Sequence, residues 1–199
     1  MIINYPNGQK AINKKQKNTV KSKAALSFSC ANRGMRLEDE INEANQYYKE
    51  KGLCLIYKRP TPIRVITVDY KNKGRITNAV FDKKSTTDYN GVYQGRYIDI
   101  EAKSTNSKTS FPLSNISSHQ LDHLSNVLKN GGIALFIIEF TKLNRAFVLT
   151  AKYVLNFIET NVKKSISLYE IEEGGFEIKR GYSPRLDYLP ILDKICCKY

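Results

Sequence analysis

No apolar run in this 199-residue chain approaches the roughly 18 residues that a membrane-spanning helix needs. The opening residues, MIINYPNGQK, have no apolar core behind their charges and do not read as a secretory signal. The expected compartment is therefore the cytoplasm. Cysteine is sparse, with Cys30, Cys54, Cys196 and Cys197 as one adjacent pair and two singles. That spacing suits neither a zinc site nor a disulfide framework, and predicts reduced, structural thiols. Histidine is sparser still. His119 and His123 stand four apart around Asp122, with no third soft ligand nearby and no HExxH order, and read as polar residues of a helix face. Internal repeats and low-complexity tracts are absent as well.

Acidic side chains are missing from residues 1–36, which carry eight basic ones. Residues 58–84 carry eight basic and two acidic side chains, and the remainder sixteen and seventeen. Nearly all of the net charge of +13 thus sits on two appendages of a balanced body. Solubility would not require that segregation. Concentrated positive charge favours a polyanion, because each phosphate neutralised releases condensed counterions. Nucleic acid is the expected partner, with the protein associated with the nucleoid.

The length and the 41% hydrophobic content allow one domain with a real core. Residues 1–30 are lysine-rich and poor in large apolar groups, so they are expected to form a flexible basic arm. Residues 31–199 are expected to form a single domain. Leu37, Ile41, Ala44 and Tyr48 recur at helical spacing, and Gly52 closes that helix. CLIYK reads as a first strand. RVITVDY and TNAVFD, around the polar KNKG, read as a hairpin within residues 58–84. Arg64, Lys71, Lys73, Arg75, Lys83 and Lys84 are assigned to its strands, and with no continuous apolar face it is expected to project as a basic stalk. Tyr70 and Phe81 are its candidates for stacking on bases, whereas tyrosines such as Tyr47 and Tyr48 fit core packing.

SSHQLDHLSNVLKNGG reads as a helix capped by Ser117 or Ser118 and stopped by Gly131. IALFIIEF is a continuous apolar run, the mark of a strand buried on both faces. RAFVLTA is its expected neighbour, AKYVLNFIE a further helix, FEIKR a short strand, and a last helix follows Pro184. The fold class is α/β, a mixed central sheet flanked by helices.

The chemistry concentrates in STTDYNGVYQGRYIDIEAKST, residues 85–105. Alternation along YIDIEAK puts Ile98, Ile100 and Ala102 on a core face, and Tyr97, Asp99, Glu101 and Lys103 on the other. Thr86 and Asp88 share a face by the same parity, and Thr87 points away. Asn90-Gly91 is the expected tight turn that brings Asp88 to Glu101. Two carboxylates held together raise each other's pKa unless a cation joins them. Carboxylate, hydroxyl and amide oxygens suit a hard octahedral ion, chiefly Mg²⁺. Such an ion activates water and neutralises phosphate charge, and a lysine two residues on can meet the same phosphate.

These motifs, with KTSFPLSN after them and NYPNG, NRGMRLED and KRPTPI before, resemble the RecU family of Holliday-junction resolvases. The resemblance runs from about residue 31 to the end, with NYPNG ahead of it. It implies the restriction-endonuclease-like PD-(D/E)xK nuclease fold. It implies Asp88 and Glu101 as metal-holding carboxylates, Lys103 as the catalytic lysine, and Thr86 and Gln120 as further ligands. It implies Mg²⁺ as cofactor, with Mn²⁺ able to substitute, and Glu38 as an auxiliary acid on the first helix. It also implies a homodimer whose hairpin stalks enter a four-way DNA junction, a role that the basic hairpin at 58–84 fits, with Arg64, Lys71, Lys73 and Arg75 as its expected DNA contacts. The strand-exchange recombinase and the branch-migration machinery are further partners it suggests. A nuclease for linear duplex, or a junction-binding regulator with a vestigial site, are the competing readings.

Overall fold

In the computed structural model of the chain, residues 36–82 and 86–197 are described. The expected arm, Cys30, Lys83 and Lys84 lie outside the described residues. Residues 36–50 form helix α1, whose Leu37, Ile41, Ala44 and Tyr48 are all buried. A stripe at that spacing covers one face of a helix, and here it lies against a sheet. The strands β1 (Leu55–Lys58), β4 (Tyr89–Tyr93), β5 (Arg96–Thr105), β7 (Ile133–Phe140), β8 (Arg145–Thr150) and β10 (Phe176–Ile178) form a six-stranded sheet in the order β1-β4-β5-β7-β8-β10. β5 and β7 run parallel and every other neighbouring pair is antiparallel. The sheet is mixed, as expected.

All eight residues of β7 are buried because both faces of the sheet are covered. Ile133, Leu135 and Ile137 join one core cluster with α1 and with helix α5 (Leu189–Cys196). Ala134, Phe136 and Ile138 join another with helices α2 (Ser118–Lys129), α3 (Ala151–Thr160) and α4 (Leu168–Gly174). Each buried Leu, Ile or Phe stabilises the fold by about 1.5–3 kcal/mol, so a polar residue in β7 needs a reason. Glu139 is that exception, and Arg36 at 2.5 Å and Arg180 at 2.7 Å pair it. Among the described cysteines, Cys54 and Cys196 are buried and Cys197 is exposed, all as free thiols.

β2 (Ile63–Asp69) and β3 (Arg75–Phe81) form a separate two-stranded sheet. Every residue of β3 and five of β2 are exposed, so the hairpin projects as its pattern predicts. Its tip differs from expectation. Lys71 sits in a single 3₁₀ turn, Tyr70–Asn72, and Lys73 follows in the left-handed region at φ 56°. The carboxylate of Asp69 accepts from Lys71 N and Asn72 Nδ2, which holds the turn. Only Arg64 and Arg75 of the four candidate cations lie on the strands.

A second correction concerns Asn90-Gly91, which lies inside β4 rather than at a turn. A Cβ on Gly91 would come within 1.9 Å of Leu55 O, so this glycine serves the close approach of β1. The turn between β4 and β5 is Gln94-Gly95, both at positive φ, the signature of a two-residue hairpin loop. Three short elements escaped the sequence reading: β6 (Ser110–Pro112), β9 (Ser165–Ser167), which pairs with it, and α4. Among the described residues no helix is long and apolar enough to cross a membrane.

Candidate active site

The register of β4 on β5 sets Tyr89 opposite Ile100, which delivers Asp88 to the flank of Glu101. Asp88 Oδ2 accepts the backbone N–H of Ala102 at 2.9 Å, fixing the carboxylate against β5. The parity of β5 holds: Ile98 and Ile100 enter the α1 side of the core, while Asp99 and Glu101 face the α2 side beside Ala134 and Phe136. That face is not open to solvent. The Glu101 side chain is only 1% exposed, because α2 closes over it.

Glu101 Oε1 meets Lys103 Nζ at 2.6 Å and receives Gln120 Nε2 at 2.5 Å. Its other oxygen, Oε2, is buried with no donor among the described residues. Asp88 and Glu101 lie in hydrogen-bonding range of each other. Burial, then the neighbouring Asp88, push the Glu101 carboxyl up to about 7 against the pull of Lys103. Burial likewise raises Asp88, opposed by the Ala102 N–H and by Lys103. Glu38 on α1 adds negative charge that raises Asp88, and Lys58 holds Glu38 at 2.5 Å. Two buried acids, one with an orphaned oxygen and raised by the charge of the other, are short of positive charge.

Asp88, Glu101, Lys103 and Gln120 are therefore together, with Glu38 at their edge. Gln120 is on α2 because Ser117 caps that helix: Gln120 Oε1 accepts from Ser117 N and Oγ, closing a capping box. Its amide nitrogen, not its oxygen, faces Glu101. Thr86 takes a different place. Its Oγ1 accepts from Arg59 Nη1 at 2.7 Å, and Thr87 donates to the buried Asp99. Arg64, Lys71, Lys73 and Arg75 are exposed on the hairpin, and Tyr70 and Phe81 are 84% and 81% exposed there.

Sequence reasoning missed the cluster around Asp99. This carboxylate is fully buried and meets Arg59 Nη2 at 2.8 Å, Tyr97 Oη at 2.9 Å and His123 Nε2 at 2.8 Å. His123 is thus an inward-facing residue rather than a polar helix surface. The signal was present: Asp99 shares its strand face with Glu101, and a buried acid demands partners. Among the described residues, no three His, Cys, Asp or Glu side chains gather as a metal site.

The family model for Recombination protein U, RecU, matches residues 32–194. This chain belongs to the RecU family. A Holliday junction resolvase RecU from Geobacillus sp. (strain WCH70) is 45% identical to it over 200 residues, covering 98% of each chain. A RecU of the same description from Lactococcus lactis subsp. cremoris (strain MG1363) is 43% identical over 212 residues, covering 98% of this chain and 99% of its own. The Archaeoglobus fulgidus Holliday junction resolvase Hjc covers 72% of this chain and 94% of its own, at 12% identity and a TM-score of 0.44, a likeness too loose to assign a role to any residue. RecU membership accounts for the ordered motifs from Asn32 onward, including the segment that holds Asp88, Glu101 and Lys103.

Proposed function

We propose that this protein is a Mg²⁺-dependent endonuclease that resolves four-way DNA junctions by paired phosphodiester hydrolysis in homologous recombination and repair. The observation that carries the metal reading is Glu101 Oε2, buried without a donor among the described residues beside the raised carboxyl of Asp88. Two carboxylates plus neutral oxygens and water fit Mg²⁺, which binds through one or two acids and keeps several waters. Mn²⁺ has the same ligand taste and should substitute. Asp88 and Glu101 would hold the ion. Gln120 would join them by turning its amide over and releasing Ser117, and Thr86 by leaving Arg59 and moving toward the two acids. The ion would supply neutralisation of phosphate charge and a more acidic water.

The chain's own groups do the rest. Lys103 Nζ, fixed by Glu101 and 21% exposed, stands between the acids and solvent, where a phosphate's developing charge can meet it. Glu101, pushed up to about 7 by burial and the neighbouring Asp88, would be held ionised as a ligand by the charge of the ion. The exposed cations Arg64, Lys71, Lys73 and Arg75 suit phosphate contacts that read junction shape rather than sequence. We place the catalytic unit in residues 31–199, with residues 1–30 as a basic arm. Two copies related by a two-fold axis would supply the two nicks that a symmetric junction needs. The relatives' names favour a four-way junction as substrate. The recombinase and branch-migration machinery stand as further partners.

The test is nicking of a synthetic mobile junction against a linear duplex of equal length, with Mg²⁺ or with EDTA. Paired nicks in the junction alone, dependent on Mg²⁺, are expected. Equal cutting of the duplex would shift the reading to a general nuclease, and binding without cutting would shift it to a regulator.

A further inference from the structure

Arg59 is the last residue before the chain leaves the main sheet for the hairpin. The hairpin's two legs meet where Asp82 N donates to Pro62 O at 3.0 Å. Among the described residues, the next rung toward the body belongs to Arg59. Its backbone N–H donates to Asp88 O at 2.8 Å, and its guanidinium donates to Thr86 Oγ1 at 2.7 Å, Tyr97 Oη at 2.7 Å and Asp99 Oδ2 at 2.8 Å. One side chain thus ties the outgoing leg at residue 59, the returning leg at residue 86, and β5 two residues before Glu101. Its Nε–H is buried with no acceptor among the described residues.

We infer that Arg59 is a positioning residue that couples seating of the basic hairpin on DNA to the placement of Asp88 opposite Glu101. The inference rests on the endonuclease reading above. The coupling is mechanical. The hairpin is a sheet of its own with exposed strands, so force on its tip reaches the body through its two legs. Both legs pass through the Arg59 hydrogen bonds immediately before the chain reaches Asp88. Asp99 is the anchor: Thr87, Tyr97 and His123 also hold it, so Arg59 pulls against a fixed point. Lysine keeps the charge but presents no planar fork and cannot span three acceptors.

The experiment measures single-turnover nicking of a four-way junction at saturating enzyme and Mg²⁺, alongside junction affinity and thermal unfolding. Arg59→Lys should slow nicking of the bound junction about tenfold while affinity stays within about twofold. In the Lys71→Ala/Lys73→Ala/Arg75→Ala background, where the hairpin seats poorly, the same Arg59→Lys should cost less than about threefold. An unchanged rate per bound junction, or the same tenfold cost in both backgrounds, would overturn the inference. Should Arg59→Lys not fold, Tyr97→Phe removes one hydroxyl from the same cluster and faces the same two criteria at about threefold. A wild-type chain that nicks no junction defeats the endonuclease reading itself. A wild type that nicks and a variant that nicks as fast defeats only the role of Arg59.

Discussion

Replacing Glu101 by glutamine should make the metal-free protein more stable at pH 8, while removing its activity. In the folded chain the carboxyl titrates near 7 against an ordinary 4.5, because it is buried beside Asp88. A folded-state pKa above the unfolded one means that the fold favours the protonated form. Stability is then fully present below about pH 4.5 and is lost as pH rises to about 7. At about 1.4 kcal/mol per pH unit, the ionised group costs the fold about 3 kcal/mol at pH 8. Glutamine lifts that cost, in which the pull of the Lys103 partner at 2.6 Å is already counted. The net gain is about 3 kcal/mol, or a rise of about 8 °C in unfolding temperature for a domain of this size. Differential scanning calorimetry in EDTA at pH 8 and pH 4.5 measures it, and the gap should close at the lower pH. Added Mg²⁺ should stabilise the wild type and leave the variant unmoved. A variant less stable than wild type in EDTA at pH 8, or one equally stabilised by Mg²⁺, would mean that the buried charge of Glu101 neither destabilises the fold nor holds the ion.

Asp88→Asn should reduce junction nicking about a hundredfold or more while junction binding in a gel-shift assay stays within a few-fold, since the change removes charge and little volume. Equal loss of binding would assign Asp88 to the fold. The Lys71→Ala/Lys73→Ala/Arg75→Ala variant should weaken junction binding and lower the slope of log affinity against log salt by about three, near 0.9 for each phosphate no longer neutralised. Its unfolding temperature should not move, because all three side chains are exposed. Gly91→Ala should destabilise the protein by about 3 kcal/mol in urea unfolding, because its methyl meets the Leu55 carbonyl and forces β1 off β4.

Much of the fold was legible where periodicity was long. The α1 stripe of Leu37, Ile41, Ala44 and Tyr48, the apolar run of β7 and the alternation in β5 each state a burial pattern that packing then enforces. Short elements were not legible. β6 and β9 have three residues each, too few for a period, and form only because they pair with one another. The Asn90-Gly91 dipeptide misled for a physical reason. Glycine answers both a turn's need for positive φ and a neighbouring strand's need for space, and only the tertiary pairing with β1 distinguishes them.

The candidate site was legible to the extent that strand parity reaches. Parity places Glu101 with Lys103, and the register of β4 brings in Asp88. Parity alone does not say that α2 covers this face, so the burial of Asp99 and Glu101, the inward turn of His123 and the bridging role of Arg59 emerged only with the packing. Thr86 shows the same limit, since its hydroxyl goes to Arg59, a residue far off in the strand pattern.

The proposed hydrolysis requires Asp88 and Glu101 to take a divalent cation between them. Isothermal titration of Mn²⁺ into the metal-free protein tests it without any DNA. Saturable binding to the wild type, lost in Asp88→Asn and in Glu101→Gln while both variants remain folded, is the predicted result. Equal binding by all three proteins, or none by the wild type, would contradict it.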